Sequence, residues 1–416
     1  MRRVGWFVPI LALAALGGSA CAQGATPLTV VHPGDNGFAL LMDAYDAQAG
    51  NDVLARVPGD PNATLTEKRR AVGSSAAWAA IALVQEALSK PVLEPPGGTT
   101  PGFTYMAKVR QLTRLLIVEE YVQLADGKSA AALDTMDDVL ALSNHLMRWN
   151  LGGILTGVAL KTIAIRSVAR HLDQFSARDC DRLMNELKAA LSLPDDARVG
   201  MEREVTQGGA FMSDLFKQVE AGPDNINVGG NGGDDAPIGY DDLTPAEMGY
   251  IASLRKTNPA AWTAFKAGVI QVVADQTRRF IAILDAYPAP PPEAAVGAGL
   301  NLSAAGDRLI WKYARPLTVL PGGQTQMVEK VILGRAQSRL LFVHAAVLRF
   351  RWEHNQLLET LDVLRLGDIA LDPFTGNAFL YARPDTSHYT LMSAGPPARD
   401  GNGNAVPGGR RVPVRL

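Results

Sequence analysis

Apolar side chains recur every three to four positions along most of this chain, which predicts a succession of amphipathic helices. Thr64-Leu65-Thr66-Glu67 is a capping box, and the helix it opens is expected to run to about Leu88, ahead of Pro91. Tyr105, Val109, Leu112 and Leu116 mark a second helix reaching Ala125, where Asp126-Gly127 ends it. Ser129 is read as the cap of a third, to about Trp149, with Leu133, Met136 and Leu140 on one face. Further helices are expected over Ile154–Leu172, from Ser176, and over Met201–Val219. Thr244-Pro245-Ala246-Glu247 and Asn258-Pro259 are two more entry signals. The second leads into a stripe of Trp262, Phe265, Val269, Val272, Phe280 and Ile283. The last long helix is predicted from about Gln326 to His354.

The period lapses in three places. Residues 221–242 are rich in Gly, Asn and Asp and read as a loop. Pro288 to Pro292 breaks the helix before it. After His354 the helical period gives way to turn chemistry and short strands around Ala370–Tyr381 and Tyr389–Met392. The expected fold is mainly α: an irregular helical bundle or short array of helical hairpins, tetratricopeptide-like in part, with a small α+β C-terminal cap. The helices over 106–125 and 129–149 have the lengths and short link of such a hairpin, but no 34-residue repeat is found. The corresponding division is a leader (1–22), an N-terminal helical region (23–220), the loop (221–242), a second helical region (243–355) and a tail (356–416).

The leader changes the picture most. Met1-Arg2-Arg3 precedes an apolar run from Val4 to Gly18, and Ala20-Cys21-Ala22 is a small-residue cleavage site. That order is a secretory signal, so the protein is expected to be exported, periplasmic or secreted. Cys21 opens a second reading as a lipidated cysteine, although the usual leucine three positions before it is replaced by Gly18. Membrane association is expected only through the signal or a lipid anchor at Cys21, because no later apolar run is unbroken for about 18 residues. Leu151–Ile165 comes closest, and Lys161 interrupts it.

Composition narrows the function classes. The formal charge is −2, without a basic stripe, so no nucleic-acid partner is expected. Apolar content of 47% against 20% charged residues suits a globular chain with a substantial core. With two cysteines in all, Cys180 has no partner once Cys21 is removed or lipidated, so it is expected to be a buried, inert thiol. The six histidines include no pair at helical ligand spacing, and HExxH and CxxC are absent, so no metal or other cofactor is expected.

Ser253-Leu254-Arg255-Lys256 fits SxxK, but late in a helix and without its companion motifs. Glu119-Glu120 and the pair Glu202 and Glu204 are expected on solvated faces or in inter-helix ion pairs. Gly229–Asp234 and the Asp400, Asn402, Asn404 series are calcium-like loops without the copies or the closing acid that calcium requires. No catalytic residue is nominated.

From Leu348 the tail reads Arg349-Phe350-Arg351-Trp352-Glu353-His354-Asn355, then Leu371-Asp372-Pro373-Phe374-Thr375-Gly376-Asn377-Ala378-Phe379-Leu380-Tyr381, then Tyr389-Thr390-Leu391-Met392-Ser393-Ala394-Gly395-Pro396. It resembles the end of the major pseudopilin of type II secretion. The resemblance covers some 50–70 of the 416 residues and implies a long helix, a hairpin, a strand and a calcium-linked end. It places the hairpin on Asp372, Pro373, Phe374, Gly376, Asn377 and Tyr381. Gly37-Phe38-Ala39-Leu40-Leu41-Met42 mimics a prepilin cleavage site, but Asp43, Asp46 and Gln48 follow it instead of an apolar helix, which excludes a pilin subunit.

The expected function is therefore an exported, non-catalytic interaction or scaffold protein of the bacterial envelope with a protein partner there. The alternatives are an extracytoplasmic, hydrolase-like enzyme and a surface ligand-binding lipoprotein.

Overall fold

The computed structural model describes residues 36–60, 62–90, 93, 104–192, 196–221, 244–289, 304–318, 323–399 and 410–416. These residues are overwhelmingly helical: α1 (Phe38–Ala47), α2 (Asp52–Arg56), α3 (Leu65–Val72), α4 (Ser75–Leu88), α5 (Thr104–Ala125), α6 (Ser129–Met147), α7 (Leu151–Ala169), α8 (Ala177–Leu191), α9 (Asp196–Ala221), α10 (Pro245–Thr257), α11 (Pro259–Asp285), α12 (Ala305–Thr318) and α13 (Gly323–His354). The strands β1 (Leu380–Ala382) and β2 (Thr390–Met392) form the small sheet of the cap. The fold is thus mainly α with a small β-containing cap.

The helix starts follow local capping chemistry. Reciprocal capping boxes close the starts of α3 (Thr64 with Glu67), α8 (Ser176 with Asp179) and α10 (Thr244 with Glu247). Asn150 and Asn258 cap α7 and α11 through their side-chain oxygens. The expected single helix over 64–88 is instead two, α3 and α4, bent by 67°. Ser74 is the cause: its hydroxyl accepts the Ala77 N–H and starts a fresh helix after Gly73. Ser129 is the first residue of α6 rather than its cap. Three helices escaped the sequence reading, α1, α2 and α12.

Three packed cores lie along the chain. The first joins α1–α8 with the second half of α13 and the cap, through residues such as Leu54, Val109, Leu140, Ile165, Leu183 and Leu341. The second gathers Ile154, Val158, Met201, Phe280, Ile283, Val328, Ile332 and Phe374. The third is aromatic: Phe216 stacks on Tyr313 and meets Trp262 edge-on. α13 runs through the first two.

Two helices, α7 and α13, are long and apolar enough to cross a membrane by length and composition, which corrects the expectation that none follows the leader. Reading unbroken runs missed them, because Lys161 interrupts α7 and Arg335 and Arg339 interrupt α13. In the fold, 78% of the apolar window of α13 and 50% of that of α7 are covered by other parts of the protein. An all-round apolar helix is what a central core position also demands.

α6 and α7 approach closely because α7 presents glycine there. A Cβ at Gly153 would lie 2.2 Å from the Leu146 carbonyl oxygen, and one at Gly157 2.5 Å from that of Ser143. Backbones separated by hydrogen atoms alone leave no room for a methyl group.

Candidate functional site in the C-terminal cap

The cap begins where α13 stops. Asn355 takes a left-handed backbone (φ 53°), a conformation Asn tolerates better than most residues, and turns the chain off the helix axis. Leu357, Leu358 and Leu361 then bury themselves on the first core, and two 3-10 turns lead to Leu371.

Asp372 organises the turn after Leu371. It is buried, and its Oδ1 accepts the Phe374 N–H at 2.9 Å. Its Oδ2 accepts the Ser393 hydroxyl at 2.9 Å and the Ala394 N–H at 2.8 Å. Its backbone carbonyl accepts from Gly376, and its N–H donates to the Asn377 carbonyl, both at 2.7 Å. One carboxylate thus closes the 372–377 turn and ties it to the segment after β2. Pro373 presets φ inside that turn, and Gly376 supplies its positive φ of 72°. Phe374 leaves the cap to join the second core, edge-on to Tyr287.

Tyr381 stands apart from the turn, on β1 opposite Leu391, and its hydroxyl donates to the Leu358 carbonyl at 2.8 Å. Beyond β2, Ser393 bridges to Val414 and Pro397 to Arg411, so the C-terminal segment lies alongside. Arg411 donates to the Gly395 carbonyl at 2.8 Å. At the other end of the cap, the Arg339 guanidinium of α13 donates to the Leu371 carbonyl at 2.9 Å.

The remaining sequence candidates fall elsewhere. Cys21, the Gly229–Asp234 loop and the Asp400, Asn402, Asn404 series lie outside the described residues. Cys180 is buried in α8, and burial pushes its thiol up to about 12. Ser253 spends its hydroxyl on the Tyr250 carbonyl of its own helix.

The acidic pairs need correction. Glu120 is fully buried rather than solvated, and desolvation raises it to about 8 against a smaller opposing effect of the Ser167 hydroxyl. The reason is its position on α5, which is enclosed by α6, α7 and α1 over most of its surface. Glu204 is also largely removed from water and accepts the Leu151 N–H, while Glu202 is exposed and pairs with Arg198 within its own helix.

Three groupings were not legible in sequence, since their members are far apart or locally unremarkable. His344 Nδ1 meets the Tyr389 hydroxyl at 3.0 Å, and burial lowers the imidazole to about 4. Glu329 and Arg399 form a bidentate, nearly buried pair at 2.7 and 3.1 Å, fastening the end of the cap to α13. Asp385, Ser387 and His388 bring an acid, a hydroxyl and an imidazole together on an exposed turn. Both Ser387 Oγ and the Asp385 carboxylate face the same nitrogen, Nδ1 of His388. A nucleophile relay needs the two on opposite ring nitrogens. The Asp385 carboxylate, held below its usual range by the Ser387 and His388 N–H groups, is closing a turn instead.

Among the described residues, no group of three or more His, Cys, Asp and Glu side chains could hold a metal ion. Seven large apolar side chains stand exposed there, and four of them belong to the C-terminal part: Trp352, Val363, Leu380 and Val412. Comparison with known proteins finds no matching family model, no curated relative and no solved structure of similar fold.

Proposed function

We propose that this protein is an exported, non-catalytic interaction or scaffold protein of the bacterial envelope, with the cap as its docking element. The helical bundle is the platform, and the cap is held on it at several points, through the Arg339–Leu371, His344–Tyr389 and Glu329–Arg399 contacts. The observation that carries the reading is the concentration of exposed apolar side chains, Trp352, Val363, Leu380 and Val412, in and beside a segment otherwise so firmly tied down. The signal-like leader and the pseudopilin-like tail support the envelope location.

Photo-crosslinking tests it. A crosslinker placed at 380 or 352 in the full chain is expected to capture a discrete envelope protein, whereas one at Trp78, exposed on α4, is not. Absence of adducts from the cap positions, or recovery of the unprocessed chain in the cytosol, would refute the proposal.

A further inference from the structure

Helices α5 and α7 lie side by side, and α6 packs against both. The short links before and after α6 make consecutive helices antiparallel, so α5 and α7 run in the same direction. Two contacts fix their relative level: the Tyr121 ring meets His171 edge-on, and Ser167 lies against Glu120. One turn earlier, Ile117 of α5 and Ile163 of α7 therefore stand abreast.

Both helices turn positive charge outward around that pair. Arg110, Arg114 and Ile117 recur at helical spacing and share one face of α5, and Ile163, Arg166 and Arg170 do the same on α7. All four arginines are exposed, and Ile163 is 44% exposed. None of the four guanidinium groups has a hydrogen bond or ion pair with a described residue. The neighbouring cations are engaged, Lys108 with Asp46 and Lys68 over the Tyr121 ring.

The two helices supply no answering carboxylate on this face. α7 has none at all from Leu151 to Ala169. The two on α5 point elsewhere: Glu120 inward to Ser167, and Glu119 to Gln123, which Thr135 of α6 holds. Gly59 borders Arg114, but the next residue, Asp60, is paired with Arg56. Arg166 in the last turn of α7 and Arg170 at its cap are favoured there by the helix dipole. Arg110 and Arg114, in the body of α5, have no such reason to be where they are.

We propose that this face docks an acidic amphipathic helix of a partner protein, laid in the trough between α5 and α7. The apolar side of that helix rests on Ile117, Ile163 and the small, exposed Ala159, and its carboxylates meet the four arginines. Guanidinium forks suit carboxylates, and side chains of one helix seat naturally in the grooves of others. The apolar floor between the charges favours such a helix over a nucleic acid, and the trough favours it over a flat bilayer. The surface is separate from the cap, and the inference holds whether or not the cap docks anything.

Fluorescence anisotropy of the full chain tests it, with a labelled peptide of about 18 residues bearing leucines at helical spacing among glutamates and alanines. One peptide is expected to bind per chain, more weakly as salt is raised. The same composition in scrambled order, and a version with lysine for glutamate, are each expected to bind roughly tenfold more weakly or worse. Arg114→Glu and Arg166→Glu are each expected to weaken binding about tenfold, and Ile163→Ala about threefold. Lys188→Glu, at an exposed position on α8, is expected to change nothing. Arg114→Gln and Arg166→Gln decide the matter if a charge reversal disturbs folding. No binding, equal binding of the scrambled peptide, or indifference to the arginine variants would overturn the proposal. Sedimentation with phosphatidylglycerol vesicles is the last arm. If the chain is carried down through the same arginines while the peptide fails to bind, the occupant is a membrane and the proposal is wrong.

Discussion

His344 on α13 and Tyr389 just before β2 meet at 3.0 Å, Nδ1 to hydroxyl, beneath the cap. Burial holds the imidazole neutral, lowering it to about 4, so acid pH must act on this contact. The unfolded chain binds a proton near pH 6.5, where the folded chain does not. Stability from this group is therefore complete above about pH 6.5 and is lost as pH falls toward 4, at no more than about 1.4 kcal/mol per pH unit. In urea melts from pH 4 to 8, His344→Phe is therefore expected to gain stability relative to the parent as pH falls below about 6.5.

Glu120 works in the opposite sense. Its folded value of about 8 exceeds the ordinary carboxyl value of 4.5, so the folded protein retains a proton that the unfolded chain releases. Stability from Glu120 is complete below about pH 4.5 and is lost as pH rises toward 8. The two groups oppose each other between about pH 4.5 and 6.5, and above that Glu120 acts alone. Glu120→Gln keeps the shape without the charge, and is expected to stabilise the protein at pH 8 by on the order of 2 kcal/mol. A Glu120→Gln variant no more stable at pH 8 than the parent would contradict this burial.

The difference between Glu120 and Glu202 shows where sequence reading stops. Both sit in polar stretches of helix, and nothing local says that α5 is enclosed while Glu202 faces Arg198 at the surface. Capping boxes were legible because both partners lie within four residues, as at Thr64 and Thr244, whereas at Ser176 only the helix start was read and the box with Asp179 was not. The cap's turn was legible for the same reason, since Asp372, Pro373 and Gly376 act within six positions. The Glu329–Arg399 pair was not, because its partners lie 70 positions apart and neither is locally unusual. α12 was missed although Leu309, Tyr313 and Ala314 form a clear stripe, and its partner Phe216 lies almost 100 residues earlier.

Asp372 should be the residue on which the cap's order depends most. Replacing it by Ala leaves the Phe374 and Ala394 N–H groups and the Ser393 hydroxyl without an acceptor in a buried setting. The expected cost is roughly 2–4 kcal/mol, borne locally. Hydrogen exchange should then accelerate over 371–398 while α5 and α6 keep their protection.

Gly157 tests the approach of α6 and α7. Ala is the better helix former, by about 1 kcal/mol at an open position, so propensity alone predicts that Gly157→Ala stabilises. The Ser143 carbonyl oxygen, 2.5 Å from the Cβ site, predicts the reverse, because it is backbone that cannot step aside without moving α6. Net destabilisation by about 1–3 kcal/mol is expected in urea melts. Gly249 on α10 is the control: nothing lies within 4 Å of its Cβ site, and Gly249→Ala should be neutral or mildly stabilising.

The Glu329–Arg399 pair decides whether the end of the cap is held by charge or by shape. Both side chains are nearly withdrawn from water, at 11% and 17% exposure, and the two hydrogen bonds run in parallel. Such a pair gives little net stability compared with apolar residues of the same volume, because desolvating two charges offsets their attraction. Removing one partner is a different matter, since the other stays buried and uncompensated. Tyr287 senses this environment already: burial and the Glu329 carboxylate both raise its phenol. Arg399→Met alone is therefore expected to cost about 3–5 kcal/mol. The double variant Glu329→Met with Arg399→Met should recover most of that loss. A double-mutant cycle in urea reads the coupling directly. If the double variant is as unstable as Arg399→Met, the stems and packing of these side chains, rather than their charges, fasten the cap to α13.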